Sequence, residues 1–289
     1  MLNTELRSLD ILVDLALRED LGDLGDITSL VTIPKSLQGE AVFVAREAGV
    51  LAGLDAARQV ATRLDVTFGT QAKDGDTLQP GDMIAFFSGS MRAILMAERT
   101  ALNFMQRLSG IATLTNQFVD LIAGTKAKIV DTRKTTPGWR RIEKYAVRVG
   151  GGTNHRVGLF DGILIKDNHL AALGEKGGDI WATLAQELQK ARQNYPQIPI
   201  EIEVDSLEQL HHVWALQPNM VLLDNMKPDL LKQAVAERDA QAPKILLEAS
   251  GGVNLQTVRA IAETGVDRIS IGALTHSARS LDIALDYVG

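Results

Sequence analysis

The chain contains no cysteine. That excludes a disulfide framework, any thiolate metal site and a cysteine nucleophile. Aromatic residues make up only 4% of the 289 residues. Cores must therefore be built from Leu, Ile, Val and Ala. No uncharged apolar run approaches the ~18 residues needed to cross a bilayer, so no membrane span is expected. The N-terminal stretch MLNTELRSLDILVDLALREDLGD carries charges throughout its apolar pattern. A secretory leader needs an unbroken apolar stretch, so a cytoplasmic protein is expected. The net charge of −6 makes a general nucleic-acid binder a poor fit, because phosphate contacts need a basic face. Familiar catalytic signatures are missing too: no HExxH, no GxSxG and no GxGxxG after the first strand. His211 and His212 lack a third ligand in zinc-type spacing.

The acidic balance is not uniform. Between Lys128 and Leu170 nine Lys and Arg stand against four Asp and Glu, 9 − 4 = +5. A basic patch on an acidic protein draws in a small anion. For Arg140, Arg141, Lys144 and Arg148 the competing reading is a solvated helix face.

Apolar spacing at Leu6, Leu9, Leu12, Val13, Ala16 and Leu17 predicts an amphipathic helix over residues 4–20, ended by Gly22 and Gly25. Short β-type runs between Gly39 and Phe87, split by KDGD and QPGD turns, enclose a helical segment at 54–64 and predict a small α/β sandwich. The stretch from Ser90 to Gly124 reads as two helices broken near Ser109 and Gly110. Six apolar runs then alternate with helical patterns: AKIVDTRK, DGILIKDNH, IPIEIEVDS, NMVLLDN, KILLEASGG and DRISIGAL. This alternation predicts parallel strands buried on both faces, with a seventh unit unplaced. The expected fold is an incomplete α/β barrel beside a smaller N-terminal sandwich, with a doubly wound sheet as the alternative. The division is drawn at residues 1–110 and 111–289, with a C-terminal helix packing back on the first domain.

In either fold, ligands bind at the C-terminal strand ends. Those ends carry Asp131, Arg133 and Lys134; Lys166, Asp167, Asn168 and His169; Glu201, Glu203 and Asp205; Asp224 and Asn225; Glu248, Ser250, Gly251 and Gly252; and Gly272, Ala273 and Thr275. Glu201, Glu203 and Asp205 alternate onto one strand face, an arrangement that is costly unless a cation or a hydroxyl-rich ligand meets it. EASGGVN and IGALTHS put glycine between strand and helix, where backbone N–H groups can point at phosphate. The triple glycine at 150–152 is not a Walker loop; it allows close approach to a ligand or to another backbone. Together these residues point to a mouth for a phosphorylated, Mg2+-associated ligand and a carboxylate-bearing partner.

The strings EDLGDLGDIT, ERTALNFMQRLSGIAT and DTRKTTPGWRRIEKYAVRVGGGTNHR, followed by LIKDNH, EVDSLEQL, LLDNM, EASGGV and ETGVDRISIGALTHS, span nearly the whole chain. In their order and spacing the chain resembles the quinolinate phosphoribosyltransferase family. The resemblance implies transfer of a phosphoribosyl group from phosphoribosyl pyrophosphate to quinolinate with decarboxylation, using Mg2+ and no prosthetic group. It implies a homodimer with shared active sites, a hexamer being the other assembly. Thr132, Arg133, His155, Arg156 and Lys166 match the substrate-binding positions, with Arg99 reaching in from the partner subunit. Lys134 lies towards the phosphoribosyl group. Lys134, Lys166, Glu203 and Asp224 match the catalytic positions, and Glu203 and Asp224 the metal side, directly or through water. Whether Glu201 or Glu203 is the functional acid stays open. Ser250, Gly251, Gly252, Gly272, Ala273 and Leu274 match the 5′-phosphate turns. A paralogue acting on another substrate, such as nicotinate, and a non-catalytic phosphate-sensing barrel are the rival readings.

Overall fold

A computed structural model describes residues 1–175 and 177–288. In chain order the elements are α1 (Asn3–Leu21), α2 (Ile27–Thr32), β1 (Gln38–Ala45), β2 (Gly49–Val50), α3 (Leu54–Arg63), β3 (Thr67–Thr70), β4 (Thr77–Leu78) and β5 (Met83–Ser90). Then come α4 (Met91–Leu121), β6 (Lys128–Val130), α5 (Arg140–Val149), β7 (Ile163–Ile165), α6 (Asp167–Gly174), α7 (Ile180–Asn194), β8 (Ile200–Val204) and α8 (Leu207–Leu216). The last are β9 (Met220–Asp224), α9 (Pro228–Gln241), β10 (Leu246–Ser250), α10 (Val258–Ala262), β11 (Arg268–Ser270), α11 (Ala273–His276) and β12 (Ile283–Tyr287).

These elements form two compact units. The first comprises residues 1–116, 134–152 and 272–289, the second residues 117–133 and 153–271. In the first, an antiparallel sheet runs β12-β1-β5-β3. The C-terminal segment is a strand, not the expected helix: Ile283–Tyr287 pairs antiparallel with Ala41–Ala45. Of Ile-Ala-Leu-Asp-Tyr only Ile and Tyr favour strands; the edge of β1 supplies its hydrogen bonds. Helix α1 buries Leu9, Val13 and Leu17 as the spacing predicts.

Helix α4 continues through Ser109 and Gly110, where two helices were expected. The small residues there serve packing. Ser109 Oγ donates to Ala52 O at 3.0 Å and accepts from Ala52 N at 2.9 Å. A Cβ on Gly110 would lie 2.0 Å from Arg279 O. The triple glycine likewise meets backbone and side chains of α4. A Cβ on Gly150 would lie 2.3 Å from Ala112 O, and one on Gly152 2.8 Å from Thr115. Close packing, not ligand contact, explains those glycines.

The solvated-face reading of α5 does not hold. Lys144 is buried, Arg148 pairs with the buried Glu5 at 2.8 Å, and Arg140 donates to Thr135 Oγ1 at 3.0 Å. Glu143, fully buried on the same helix, pairs with Arg107 at 2.9 Å and accepts from Thr136 N at 3.0 Å. Removing one partner of such a pair would leave an uncompensated buried charge.

The second unit holds the six expected parallel strands in the order β6-β11-β10-β9-β8-β7. From β7 to β11 each strand lies beside its sequence neighbour, and β6, the first, lies beside β11, the last. A doubly wound sheet reverses direction at a switch point, whereas this cyclic order is that of a barrel. The edge strands β6 and β7 are not paired with each other, so the barrel is incomplete. On the outer edge of β6, Thr153 bridges in parallel to Val130, and the chain leads from there to Ile163. No helix among the described residues is long and apolar enough to cross a membrane.

Candidate active site

Strand register brings the predicted residues of the second unit together. Ser250 pairs with Asp224 and with Ser270, and Ser270 with Val130. Glu203 pairs with Leu222, one pleat below Asp224. The ends of β6, β8, β9, β10 and β11 therefore form one rim. Beyond β7, Lys166 reaches across to Glu203 and forms an ion pair with it. Lys166 N donates to His169 Nδ1 at 3.0 Å, which fixes the turn into α6. Asp224 Oδ2 accepts from Asn225 Nδ2 at 2.7 Å. Asn225 itself sits at φ +54°, and its N donates to Ser250 O at 2.8 Å. Gly251, at φ +96°, has no room for a side chain, since a Cβ would lie 2.1 Å from Asn225 Oδ1. Gly252 also has positive φ, +61°, and both glycines are exposed. This turn requires glycine and leaves its amides accessible.

Arg133 and Arg156 lie close enough to interact. Burial first, and then the Arg133 guanidinium, lower the pKa of Arg156, while Glu201 and Asp161 oppose the shift. Arg156 Nη1 donates to Gly162 O at 3.0 Å. Its loop is braced by Asp161, which accepts from Val157 N at 2.8 Å and Gly158 N at 2.9 Å.

His155 is turned inward. Its Nδ1 accepts the N–H of Arg156 at 2.8 Å, and its Nε2 lies 3.0 Å from Glu201 Oε2 and 3.5 Å from Glu248 Oε1. Glu201 belongs to β8 and Glu248 to β10, with β9 between them. Such convergence fits the concave face of a barrel. Beneath, the fully buried Asp131 accepts from His155 N at 2.8 Å and Asn154 Nδ2 at 2.6 Å. Asp131, named as a strand-end acid, thus ties β6 to the segment carrying the His155–Arg156 pair. A cavity of about 280 Å3 extends from Arg156 and Glu201 towards the first residues of β7, β8, β9 and β11.

The His155, Glu201 and Glu248 ligand atoms lie within 4.8 Å of one another, a separation a metal ion can span. The ring argues otherwise. A nitrogen that accepts an N–H carries no proton, so the proton of neutral His155 sits on Nε2, where a metal would need the lone pair. Glu203 and Asp224, carboxylates on adjacent strands at the rim, are the better hard-cation ligands.

The remaining predicted residues belong to the first unit. Lys134 is exposed, and its carbonyl accepts from Thr275 Oγ1 at 2.7 Å. A Cβ on Gly272 would lie 3.1 Å from Lys134 Cδ, so that glycine gives the lysine stem its space. Leu274 is fully buried and offers only backbone to a ligand. Arg99 is exposed on α4 and forms no hydrogen bond or ion pair among the described residues. Glu248 was named among the strand-end residues without a role of its own; the structure buries it in the middle of β10.

Comparison with known proteins accords with this architecture. Residues 26–109 match the quinolinate phosphoribosyl transferase N-terminal domain, and residues 111–286 its C-terminal domain. The chain is 48% identical over 278 residues to the nicotinate-nucleotide pyrophosphorylase [carboxylating] of Mycobacterium leprae, covering 94% of each protein. It is 43% identical to a probable nicotinate-nucleotide pyrophosphorylase [carboxylating] of Bacillus subtilis, covering 93% of this chain and 89% of that one. The solved nicotinate-nucleotide pyrophosphorylase of Francisella tularensis superposes with a TM-score of 0.88 at 38% identity, over 98% of this chain and 97% of that one. Family match, identity along the whole length and the cyclic strand order agree: the chain belongs to the quinolinate phosphoribosyltransferase family.

Proposed function

We propose that the protein transfers the phosphoribosyl group of phosphoribosyl pyrophosphate to quinolinate, giving nicotinate mononucleotide, pyrophosphate and carbon dioxide, a step of de novo NAD biosynthesis. One observation carries the reading. Two guanidinium groups, Arg133 and Arg156, are held near each other in a partly buried place, where burial and then the Arg133 charge lower the Arg156 pKa. A dianion bound beside them opposes that shift. A pyridine with two carboxylates supplies one, and Arg holds a carboxylate with two parallel hydrogen bonds that also set its plane.

In this reading Thr132, Arg133, Arg156 and Lys166 hold the pyridine, with Arg99 supplied by the partner of a homodimer or a hexamer; His155, expected to touch the pyridine directly, instead turns one ring nitrogen to Glu201 and Glu248 and the other to the Arg156 N–H. Lys134 faces the phosphoribosyl group. Glu203 and Asp224 meet the ribose hydroxyls, and Ser250, Gly251, Gly252, Gly272, Ala273 and Leu274 the 5′-phosphate. Holding both reactants in place removes much of the entropic barrier. The ring nitrogen attacks the anomeric carbon as the bond from that carbon to the pyrophosphate oxygen breaks. Nearby carboxylates favour the positive charge that develops on the sugar. The glycosylated nitrogen is then cationic. It accepts the electron pair left when the bond to the adjacent carboxyl breaks, carbon dioxide departs, and the ring carbon takes up a proton. Glu203 and Asp224 suit Mg2+, directly or through water, and when bound that ion neutralises charge on the pyrophosphate.

The test is purified protein with Mg2+ and both substrates, followed for mononucleotide and carbon dioxide. Turnover of nicotinate in place of quinolinate, without carbon dioxide, would mark the paralogue reading. Binding with no turnover of either acid would mark the phosphate-sensing barrel.

A further inference from the structure

Two buried carboxylates lie beneath the cationic rim, and the mechanism uses neither. Glu248 is fully buried, and the side chain of Glu201 is about 5% exposed. Glu201 Oε1 and both Glu248 oxygens accept no well-formed hydrogen bond, although Ser270 lies near enough to Glu248 to favour its charged form. Buried carboxylate oxygens without partners are costly, so the arrangement calls for an explanation. A metal is disfavoured by the His155 tautomer. A proton on one carboxyl explains the orphan atoms directly, because a protonated Glu248 becomes a donor and Glu201 Oε1 is the acceptor left over. The environment agrees: burial, and then the Glu201 charge, raise the Glu248 pKa to about 7.

We propose that Glu248 and Glu201 are positioning residues for the substrate clamp: the carboxyl of Glu248 donates to the carboxylate of Glu201, which accepts from His155 Nε2, and His155 Nδ1 holds the backbone N–H of Arg156. The chain of contacts runs from the middle of β10, through β8, to the residue that faces the dianion. Asp131 fixes the other end of the same segment through His155 N and Asn154. His155 is then neutral and directed away from the substrate, and its contribution to binding is made through Arg156. The proposal rests on the assignment of Arg156 to the pyridine carboxylate.

The experiment compares steady-state constants for Glu248→Leu, Glu248→Gln, Glu201→Gln and Arg156→Lys. Glu248→Leu removes the donor, so KM for quinolinate should rise about tenfold while KM for the phosphoribosyl donor stays within about twofold. Glu248→Gln keeps an N–H donor for Glu201 Oε1 and should restore near-normal KM. Glu201→Gln should behave like Glu248→Leu. If Glu248→Leu and Glu248→Gln shift both KM values alike, or change thermal stability alone, the positioning role is overturned. Should Glu248→Leu fail to fold, 15N spectra of histidine in the unmodified enzyme decide: His155 should be the neutral Nε2–H tautomer at about pH 6, where Glu248 retains its proton. A cationic ring or an Nδ1–H tautomer overturns the proposal. If Arg156→Lys leaves quinolinate KM unchanged, the clamp assignment itself has failed. If Arg156→Lys raises it and Glu248→Leu does not, only the positioning role has.

Discussion

At the scale of single residues, what matters is how like charges are held together. Arg133 and Arg156 lie near each other where the substrate carboxylates are proposed to sit, so Arg133→Ala and Arg156→Ala should each weaken quinolinate binding by about 2–4 kcal/mol. Donor affinity should change far less. Calorimetric titration with each substrate checks this, and unchanged quinolinate affinity would remove the residue from the clamp. Glu248 gives a pH signature. Its folded-state pKa, raised to about 7, lies above the ordinary 4.5. Below about pH 4.5 the carboxyl is protonated in both folded and unfolded chains and the group is neutral to stability. Between about 4.5 and 7 the unfolded chain gives up a proton that the folded one retains, so the group lowers stability as pH rises, and the penalty is complete above about 7. Glu248→Gln should therefore gain in Tm relative to the parent as pH goes from 4.5 to 7. A Tm difference independent of pH would show that the carboxyl is ionised throughout. Gly251 is the third test. With φ +96° and a would-be Cβ 2.1 Å from Asn225 Oδ1, Gly251→Ala should cost about 1–3 kcal/mol of stability and raise KM for the phosphoribosyl donor, measurable by urea unfolding and initial rates.

Among the elements, α4 sets two effects against each other. Ala at position 110 would improve helix propensity by about 1 kcal/mol. It would also force a methyl to within 2.0 Å of Arg279 O, backbone that has little room to yield. Overpacking of this kind costs ~1–3 kcal/mol, so Gly110→Ala should lower Tm, and a rise in Tm would mean the 279–280 segment moves freely. The same element shows where sequence reasoning ran out. Ser and Gly side by side in a helical pattern read as a break because propensity is a local quantity. Their actual partners, Ala52 and Arg279, are distant in sequence. The C-terminal strand was illegible for a similar reason: its five residues become a strand because β1 offers an open edge. By contrast, the six barrel strands were readable, since burial on both faces leaves continuous apolar runs bounded by polar ends. Strand ends also gave Arg133, Lys166, Glu203, Asp224 and Gly251. The inward turn of His155 was not readable, because it depends on carboxylates from two other strands.

For the whole molecule, the open question is how many subunits make one site. Arg99 is exposed on α4 with no ion pair among the described residues, although a guanidinium on a helix surface readily finds an acid nearby. In the proposed assembly it completes the clamp of a second copy, while Lys134 acts within its own chain. Arg99→Ala and Lys134→Ala should each be nearly inactive alone. Mixed and allowed to exchange subunits, they should form heterodimers in which one of the two sites has both residues intact and the other has neither. With equal amounts and random exchange, half the dimers are mixed, so activity should recover to about one quarter of the parent's, because half of the dimers each carry one working site. Recovery should require exchange, and chemical cross-linking of each variant before mixing should prevent it. If the exchanged mixture shows no more activity than its components, Arg99 serves the subunit that carries it and each barrel works with its own residues alone.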